Sequence, residues 1–286
     1  MNKEISNNRE EYCYLNGKIL PIKEAKIPIT DISLLRGYAI FDSIAAMNGN
    51  IIFFDEHYER FVRSARIMHL RIPISKHKFE VIIYKLLRKN HYGSSRIKLV
   101  LTGGKLVGSL DYDLRSANLF ILVQKAGIPK RKDYLQGVKL ITYEHLREIP
   151  AAKSNGYLTA VNIQSLRRRA GAKEILYIFE GKVLEATTSN FFIVKGDKLI
   201  TARNNVLMGI VRSKVIKLAK RFMNVEERIV EASELRTADE AFITSTYKKV
   251  LPVVRINNLV IGNGRVGQKT KLLIEQYACL EKKVCS

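Results

Sequence analysis

Hydrophobic and polar positions along the first 124 residues repeat with two different periods. Apolar residues at helical spacing over 54–70 predict one helix, with Asp55 as its N-cap, and 77–90 predicts a second. Shorter apolar runs read as strands. They are the two halves of "YCYLNGKIL" around an Asn-Gly turn, then "SRIKLVLTGG" and "ANLFILVQK".

Residues 125–137, "KAGIPKRKDYLQG", are polar, contain Gly and Pro and show no periodicity, so we interpret them as an interdomain linker. The part beyond, 138–286, consists mainly of strands. They include "GVKLITYE", three or four antiparallel strands over 174–202, and an apolar strand that ends before Ser245. An amphipathic helix from Tyr157 and a helix in "IVRSKVIKLAKRFM" interrupt them. The pattern predicts an α+β chain with domains at 1–124 and 138–286.

Composition is that of a folded protein. Hydrophobic residues make up 47% of the 286 positions, enough for a core. The three cysteines, Cys13, Cys279 and Cys285, lack metal-ligand spacing, so we expect no metal site and free thiols in a reducing cytoplasm. The N-terminus is polar rather than signal-like, and no apolar run approaches the ~20 residues that span a bilayer.

The net charge of +22 raises the alternative of a nucleic-acid binder. The basic residues are nevertheless scattered over every segment. The densest run, "SLRRRAGAKE" (165–174), has no aromatic residues interleaved for base stacking. We therefore expect no nucleic-acid partner, and a basic surface that attracts anionic small molecules.

Lys153 stands in a confined setting between Ala152 and Ser154 in "IPAAKSNGYL". A lysine whose ammonium form is disfavoured by apolar surroundings can act as a nucleophile toward an aldehyde. The alternative is an ordinary solvated surface lysine, which is the commoner case.

Three later features also allow a chemical and a plain structural interpretation. Glu185 in "VLEATTSNFF" ends a strand and could be a working carboxylate or a turn residue. Gly209 in "LMGIVRSK" precedes a helix whose first N–H groups, at Gly209, Ile210 and Val211, could bind phosphate. Gly209 could equally be a simple N-cap. Ser245 and Thr246 in "FITSTYKKVLPV" could bind a ligand or merely cap their own turn.

Taken in order, these segments resemble the class IV aminotransferases, the fold-type-IV enzymes of pyridoxal 5'-phosphate. "RGYAIFDSIAAMNGNIIFFDEHYERFVRSA" resembles the family's Gly-x-x-x-(Phe/Tyr)-Glu segment and its Glu-His-x-x-Arg-Leu helix. "AAKSNGYL" resembles the segment with the cofactor lysine, and three further motifs follow: "VLEATTSNFFIV", "LMGIVRSKVIKLA" and "ADEAFITSTYKKVLPV". The resemblance implies a small N-terminal α/β domain and a larger β-barrel-like domain with helices.

The resemblance also implies roles. Lys153 would be the catalytic residue, bonding to the cofactor aldehyde and moving a proton between substrate and cofactor. Glu185 would hydrogen-bond the protonated pyridine nitrogen, and Arg60 would grip the phosphate. The remaining cofactor-binding residues would complete the phosphate cup. They are Gly209, Ile210, Val211, Ser245 and Thr246.

The substrate side departs from the familiar members. The branched-chain enzymes read Phe-Glu-Gly where this chain has Phe41-Asp42-Ser43, and the D-alanine enzymes carry an arginine near Gly103. The pattern is closer to atypical D-amino-acid transaminases. Our first expectation is therefore a D-amino acid with 2-oxoglutarate as partner. Branched-chain L-amino-acid transamination is second, and an aminodeoxychorismate-type lyase third.

A pocket for an amino acid and a 2-oxo acid needs groups that bind carboxylates. We expect the substrate-binding residues, some of which could instead be surface charges in so basic a chain, to be Arg36, Phe41, Arg96, Lys98 and Lys248. Arg96 and Lys98 are two apart in a strand and so share a face. The resemblance further implies a homodimer, in which the small domain of a neighbouring subunit closes the site.

Overall fold

The computed structural model describes residues 10–127 and 130–285. The chain divides into two compact units between Ala126 and Gly127. Each unit combines strands with helices, so the predicted mixture of α and β structure is confirmed. The domain boundaries 1–124 and 138–286, with a linker at 125–137, stay a prediction.

The first unit is a sheet with helices. Its strands are β1 (Tyr12–Leu15), β2 (Lys18–Pro21), β3 (Ala39–Met47), β4 (Asn50–Ile51), β5 (Ser94–Thr102), β6 (Lys105–Leu106), β7 (Tyr112–Asp113) and β8 (Leu119–Lys125). Its α-helices are α1 (Ile32–Arg36), α2 (Phe54–Ile67) and α3 (Lys76–Asn90), with 3₁₀ turns at Ile22–Glu24 and Leu114–Ser116. Six strands form one sheet in the order β2-β1-β8-β5-β3-β4.

The predicted β1–β2 hairpin is confirmed. Asn16 (φ 45°) and Gly17 (φ 99°) take the two positive-φ positions that a tight hairpin turn requires. The start of α2 is different from the prediction, because its N-cap is Phe53 in a left-handed conformation (φ 53°), not Asp55. Asp55 lies in the first helical turn and pairs with Lys76 at 2.8 Å between Oδ1 and Nζ.

The second unit is richer in strands. They are β9 (Val138–Glu144), β10 (Glu174–Phe179), β11 (Lys182–Ala186), β12 (Ser189–Lys195), β13 (Lys198–Ala202), β14 (Asn224–Arg228), β15 (Val230–Glu231), β16 (Glu240–Ser245), β17 (Lys249–Ile256) and β18 (Leu259–Val260). The α-helices are α4 (Arg131–Gln136), α5 (Leu158–Asn162), α6 (Gln164–Arg169), α7 (Ile210–Ala219) and α8 (Gln268–Cys285), with a 3₁₀ helix at Ala232–Thr237.

Six strands of this unit close into a ring, which confirms the barrel-like domain. Going round, β9 pairs with β10, β10 with β11, β11 with β12, β12 with β16, β16 with β17, and β17 again with β9. One hydrophobic cluster draws buried side chains from all six strands. Closure leaves the ring strands without free edges and gives the loops at its ends a rigid support.

The segment predicted as a linker contains helix α4 at Arg131–Gln136. One local prediction in this unit needs correction. The helix expected from Tyr157 ends at Asn162, and α6 begins separately at Gln164. Within the described residues, no helix combines the length and apolar character needed to cross a membrane. Cys13 is a buried free thiol and Cys279 an exposed one.

Candidate active site

Lys153 lies in the loop between β9 and α5. Ala152, just before it, is fully buried, and its N–H donates to the Ile149 carbonyl oxygen at 3.2 Å, forming a tight turn. Lys153 itself is half-buried, and its charge acts on the carboxyl group of Glu185 and favours the ionised form. The structure thus brings together two of the residues that the sequence singled out.

Glu185 is a buried carboxylate near the end of β11 and is held from both sides. Its Oε1 accepts a hydrogen bond from Arg147 Nε at 2.8 Å. Its Oε2 accepts from the Leu207 N–H at 3.0 Å and from Asn190 Nδ2 at 3.3 Å. Burial raises the pKa of Glu185, and Arg147 and the Leu207 N–H oppose that rise. A fixed carboxylate of this kind is suited to pair with a protonated ring nitrogen.

Arg147 is a site residue that sequence reasoning missed. Besides Glu185, its guanidinium binds the carbonyl oxygens of Ala152 (Nη1, 3.2 Å) and Pro150 (Nη2, 2.6 Å). It therefore links the carboxylate to the backbone that leads into Lys153. Its position six residues before Lys153 was visible in "LREIPAAK", but nothing in the sequence pairs it with β11.

Gly209 is the N-cap of α7, with φ −68° and ψ 143° and no side chain to cap the helix. The first N–H groups of α7 are therefore not bound by a capping side chain and can face an anion. A Cβ on Gly209 would lie 2.1 Å from Asn190 Oδ1. Because Asn190 also binds Glu185 and the Leu207 carbonyl oxygen (2.7 Å), it connects the carboxylate with the helix start.

Ser245 ends β16 and Thr246 follows it in the turn, beside the same group of residues. Asn190 on β12 is paired with Thr244 on β16, which places the Ser245 turn next to the Ser189 turn. Ser245 Oγ accepts from the Lys248 N–H at 3.3 Å, so this hydroxyl caps its own turn. Thr246 is half-buried in that turn.

Lys248 is engaged with a buried acid, which the sequence did not indicate. Its Nζ lies 2.7 Å from Glu174 Oε1 and 2.8 Å from Thr188 Oγ1. Burial would raise the pKa of Glu174, but Lys248 and the hydroxyl and N–H donors of Thr188 and Ser189 hold it below its usual value. The Lys248 ammonium therefore joins two turns, and its contact with substrate stays a prediction.

In the first unit, Arg60 is buried against Asp42. Nε and Nη2 bind the two carboxylate oxygens at 2.8 and 2.7 Å, and His57 Nδ1 lies 2.7 Å from Asp42 Oδ1. Burial would raise the pKa of Asp42, but Arg60 and His57 hold it well below the usual range. Asp42, in the place of the family's Glu, thus orients the arginine that the resemblance assigned to the phosphate.

The other candidates of the first unit differ in their surroundings. Arg36 is exposed and its Nη1 donates to the carbonyl oxygen of Leu35 (2.9 Å), next to it in the chain. Lys98 Nζ lies over the Phe41 ring, 5.0 Å from its centroid. Burial and then the charge of Arg96 lower the pKa of Lys98. Phe41, Arg96 and Lys98 are therefore together on β3 and β5, and Arg36 lies outside this group.

Comparison with known proteins identifies the family. The model of the family "Amino-transferase class IV" matches residues 39–256, most of the chain. The chain belongs to the class IV aminotransferases, and it is a pyridoxal-phosphate-dependent transaminase.

Individual relatives carry two different names. A protein of Methanocaldococcus jannaschii named "Putative branched-chain-amino-acid aminotransferase" is 35% identical over 94% of this chain and 96% of its own. The D-alanine aminotransferase of Bacillus licheniformis is 31% identical over 90% of this chain and 92% of its own. The structure is similar to that of the branched-chain amino acid aminotransferase of Escherichia coli. In that comparison the TM-score is 0.89 and the identity 25%, over 95% of each chain.

The residues present suit pyridoxal 5'-phosphate. Lys153 supplies an amine, Glu185 a buried carboxylate that Arg147 keeps in place, and Gly209 a helix start with no side chain of its own. Asn190 Oδ1 approaches Gly209 so closely that a Cβ there would require Asn190 to move. Amine, acid and anion-binding N–H groups are the three functions that this cofactor requires of its protein. A second similar structure of a branched-chain amino acid aminotransferase contains pyridoxamine 5'-phosphate, with a TM-score of 0.85 and 27% identity over 94% of this chain and 93% of the other.

Proposed function

We propose that this protein transfers the amino group of branched-chain L-amino acids to a 2-oxo acid such as 2-oxoglutarate. The comparisons fit this alternative better than the first expectation, a D-amino acid donor. The observation that carries the proposal is the 35% identity, over nearly full length, to a relative named for branched-chain amino acids. The D-alanine enzyme is less similar, at 31%.

The chemistry of the Phe41, Arg96 and Lys98 side chains, which lie together on β3 and β5, supports this choice of substrates. The Phe41 ring offers an apolar surface to a branched side chain, and Lys98 beside it offers a cation to the second carboxylate of 2-oxoglutarate. We rank Lys98 and Arg96 ahead of Arg36, whose guanidinium binds its own helix, and Lys248, which binds Glu174.

Each cofactor residue has a definite task in this reaction. The bound cofactor withdraws electrons from the substrate Cα. Lys153 would hold the cofactor through its Nζ amine, and once the substrate amino group takes that place the free amine would move the proton that leaves Cα. The Glu185 carboxylate would accept a hydrogen bond from the ring nitrogen and so favour the protonated form of that nitrogen. The N–H groups at the start of α7 and the Ser245–Thr246 turn would hold the phosphate. The resemblance to the family assigns Arg60 to the phosphate as well.

We further propose a homodimer. Leu158 and Val161 on α5 follow Lys153 closely in the chain, yet 85% and 69% of their surfaces are exposed. Large apolar side chains left exposed beside a functional loop are typical of a surface that a partner covers. Sedimentation should give a dimer or a larger assembly, and a fully active monomer on dilution would contradict this part of the proposal.

A panel of D- and L-amino acids, each offered with 2-oxoglutarate, tests the substrate. We expect glutamate formation with L-leucine, L-isoleucine and L-valine, at a kcat/KM at least about tenfold above D-alanine, a difference of about 1.4 kcal/mol in transition-state binding. Preference for D-alanine would reject the proposal. Pyruvate release from aminodeoxychorismate without an oxo acid would favour the lyase alternative.

A further inference from the structure

Arg147 contacts both Glu185 and the backbone that leads into Lys153. Four polar contacts leave its guanidinium: Nε and Nη2 each reach Glu185 Oε1 at 2.8 Å, Nη1 reaches the Ala152 oxygen and Nη2 the Pro150 oxygen. Only 17% of the Arg147 side chain and 8% of the Glu185 side chain are exposed. A charge pair this sheltered is little screened by solvent.

The geometry gives Arg147 two separable effects. Its charge favours the ionised form of Glu185 against the cost of burial, because an opposite charge at hydrogen-bond distance stabilises a carboxylate. Its fork shape lets it hold two carbonyl oxygens in front of Lys153 at the same time, which a lysine ammonium, with donors on a single atom, does less well.

We propose that Arg147 is a positioning residue that keeps the Glu185 carboxylate ionised and fixes the backbone in front of Lys153. One side chain thereby adjusts both the ring-nitrogen end and the lysine end of the cofactor site. This inference rests on the roles given to Glu185 and Lys153 in the proposed function.

Binding of cofactor to the apoprotein tests the electrostatic effect without any turnover. The probes are pyridoxal 5'-phosphate and its analogue with carbon in place of the ring nitrogen. Wild-type protein should prefer the natural cofactor at least about tenfold (about 1.4 kcal/mol), because only that cofactor makes the charge-assisted bond to Glu185. R147M should lose most of this preference, as should E185Q, and R147K should retain it. Ring-¹⁵N NMR of the loaded proteins should show the same order, with the nitrogen unprotonated in R147M.

Hydrogen exchange tests whether Arg147 fixes the backbone in front of Lys153. Amides of the 149–157 segment should exchange about tenfold faster or more in both R147M and R147K, since each loses at least one bond to a carbonyl. R167M is the matched control: Arg167 is also half-buried and also binds a side-chain oxygen (Gln164) and a backbone oxygen (Ala172), but away from these residues. It should leave both readouts unchanged.

The possible results bear on different parts of the inference. Unaltered preference between the two cofactors in R147M, or unaltered exchange in 149–157, would overturn the corresponding half of it. Equal loss of affinity for both probes in R147M would mean that Arg147 fixes the backbone but does not control the ionisation of Glu185. If R147M does not fold, R147Q takes its place in both measurements. Wild-type protein that distinguishes the probes but rejects branched-chain amino acids would refute the proposed substrate and leave this inference standing. Wild-type protein that does not distinguish the probes would refute the role of Glu185 and the inference together.

Discussion

Replacing Asp42 by Asn should destabilise the first unit strongly. Asp42 is completely buried. Its carboxylate accepts two hydrogen bonds from Arg60 and one from the Ser43 N–H, and His57 Nδ1 lies close to its Oδ1. The substitution leaves the buried Arg60 charge without its counter-charge. Removing one partner of a buried ion pair typically costs ~3–5 kcal/mol, and since the amide keeps one acceptor oxygen we expect about 3 kcal/mol.

The effect should depend on pH in a defined direction. The pKa of Asp42 is lower in the folded than in the unfolded protein. Its carboxylate therefore contributes fully above the unfolded value of about 4 and loses that contribution as the pH falls toward the folded value. The difference in unfolding free energy between wild type and Asp42→Asn should accordingly shrink below about pH 4.

Urea unfolding of the two apoproteins measures the difference, and Asp55→Asn is the matched control. Asp55 pairs with Lys76 at 2.8 Å, but 69% and 45% of these side chains are exposed. Such a surface pair is worth ~1 kcal/mol at most. Losses for Asp42→Asn and Asp55→Asn that agree within about 0.5 kcal/mol would refute the reasoning, because burial would then have no measurable effect.

Four further substitutions test the site. Lys153→Ala should abolish transamination while the apoprotein unfolds at an unchanged urea concentration, whereas full turnover would show that another amine holds the cofactor. Glu185→Gln should lower kcat by about 10²-fold or more, the usual effect of losing an electrostatic partner in a dry site; unchanged kinetics would return it to a turn residue. Gly209→Ala, whose Cβ would lie 2.1 Å from Asn190 Oδ1, should weaken cofactor binding about tenfold or more. Gly93→Ala meets nothing within 4 Å and is its control; equal affinities would contradict the close fit. Lys98→Met should raise KM for 2-oxoglutarate about tenfold and affect the amino donor less, so a change confined to the donor would reject its role.

The sequence predicted those parts of the site that are local in the chain. Gly209 precedes its helix by one residue, and the helix start follows from that short stretch alone. The Asn-Gly turn of β1–β2 is equally local. The four antiparallel strands of 174–202 were also predictable, because turn signals and alternation lie within one segment.

Contacts between distant segments could not be predicted in this way. Arg147 and Glu185 are 38 residues apart, and meet only because β9, β10 and β11 are consecutive strands of the ring. Lys248 belongs to a turn that reads as exposed, yet the ring brings Glu174 to its ammonium. Side-chain preference alone predicts Asp55 as the N-cap, whereas the left-handed Phe53 begins the helix.

The closed ring has a consequence for the order in which this chain can mature. Strand β9 is made early, but one of its two neighbours, β17, begins only at Lys249. Until that stretch has left the ribosome, β9 and β16 each keep an unpaired edge, which is the kind of surface that recruits other chains. A nascent chain halted before Lys249 would therefore already contain Lys153, Glu185 and Gly209, yet it would be aggregation-prone and unable to close the strands that bring them together.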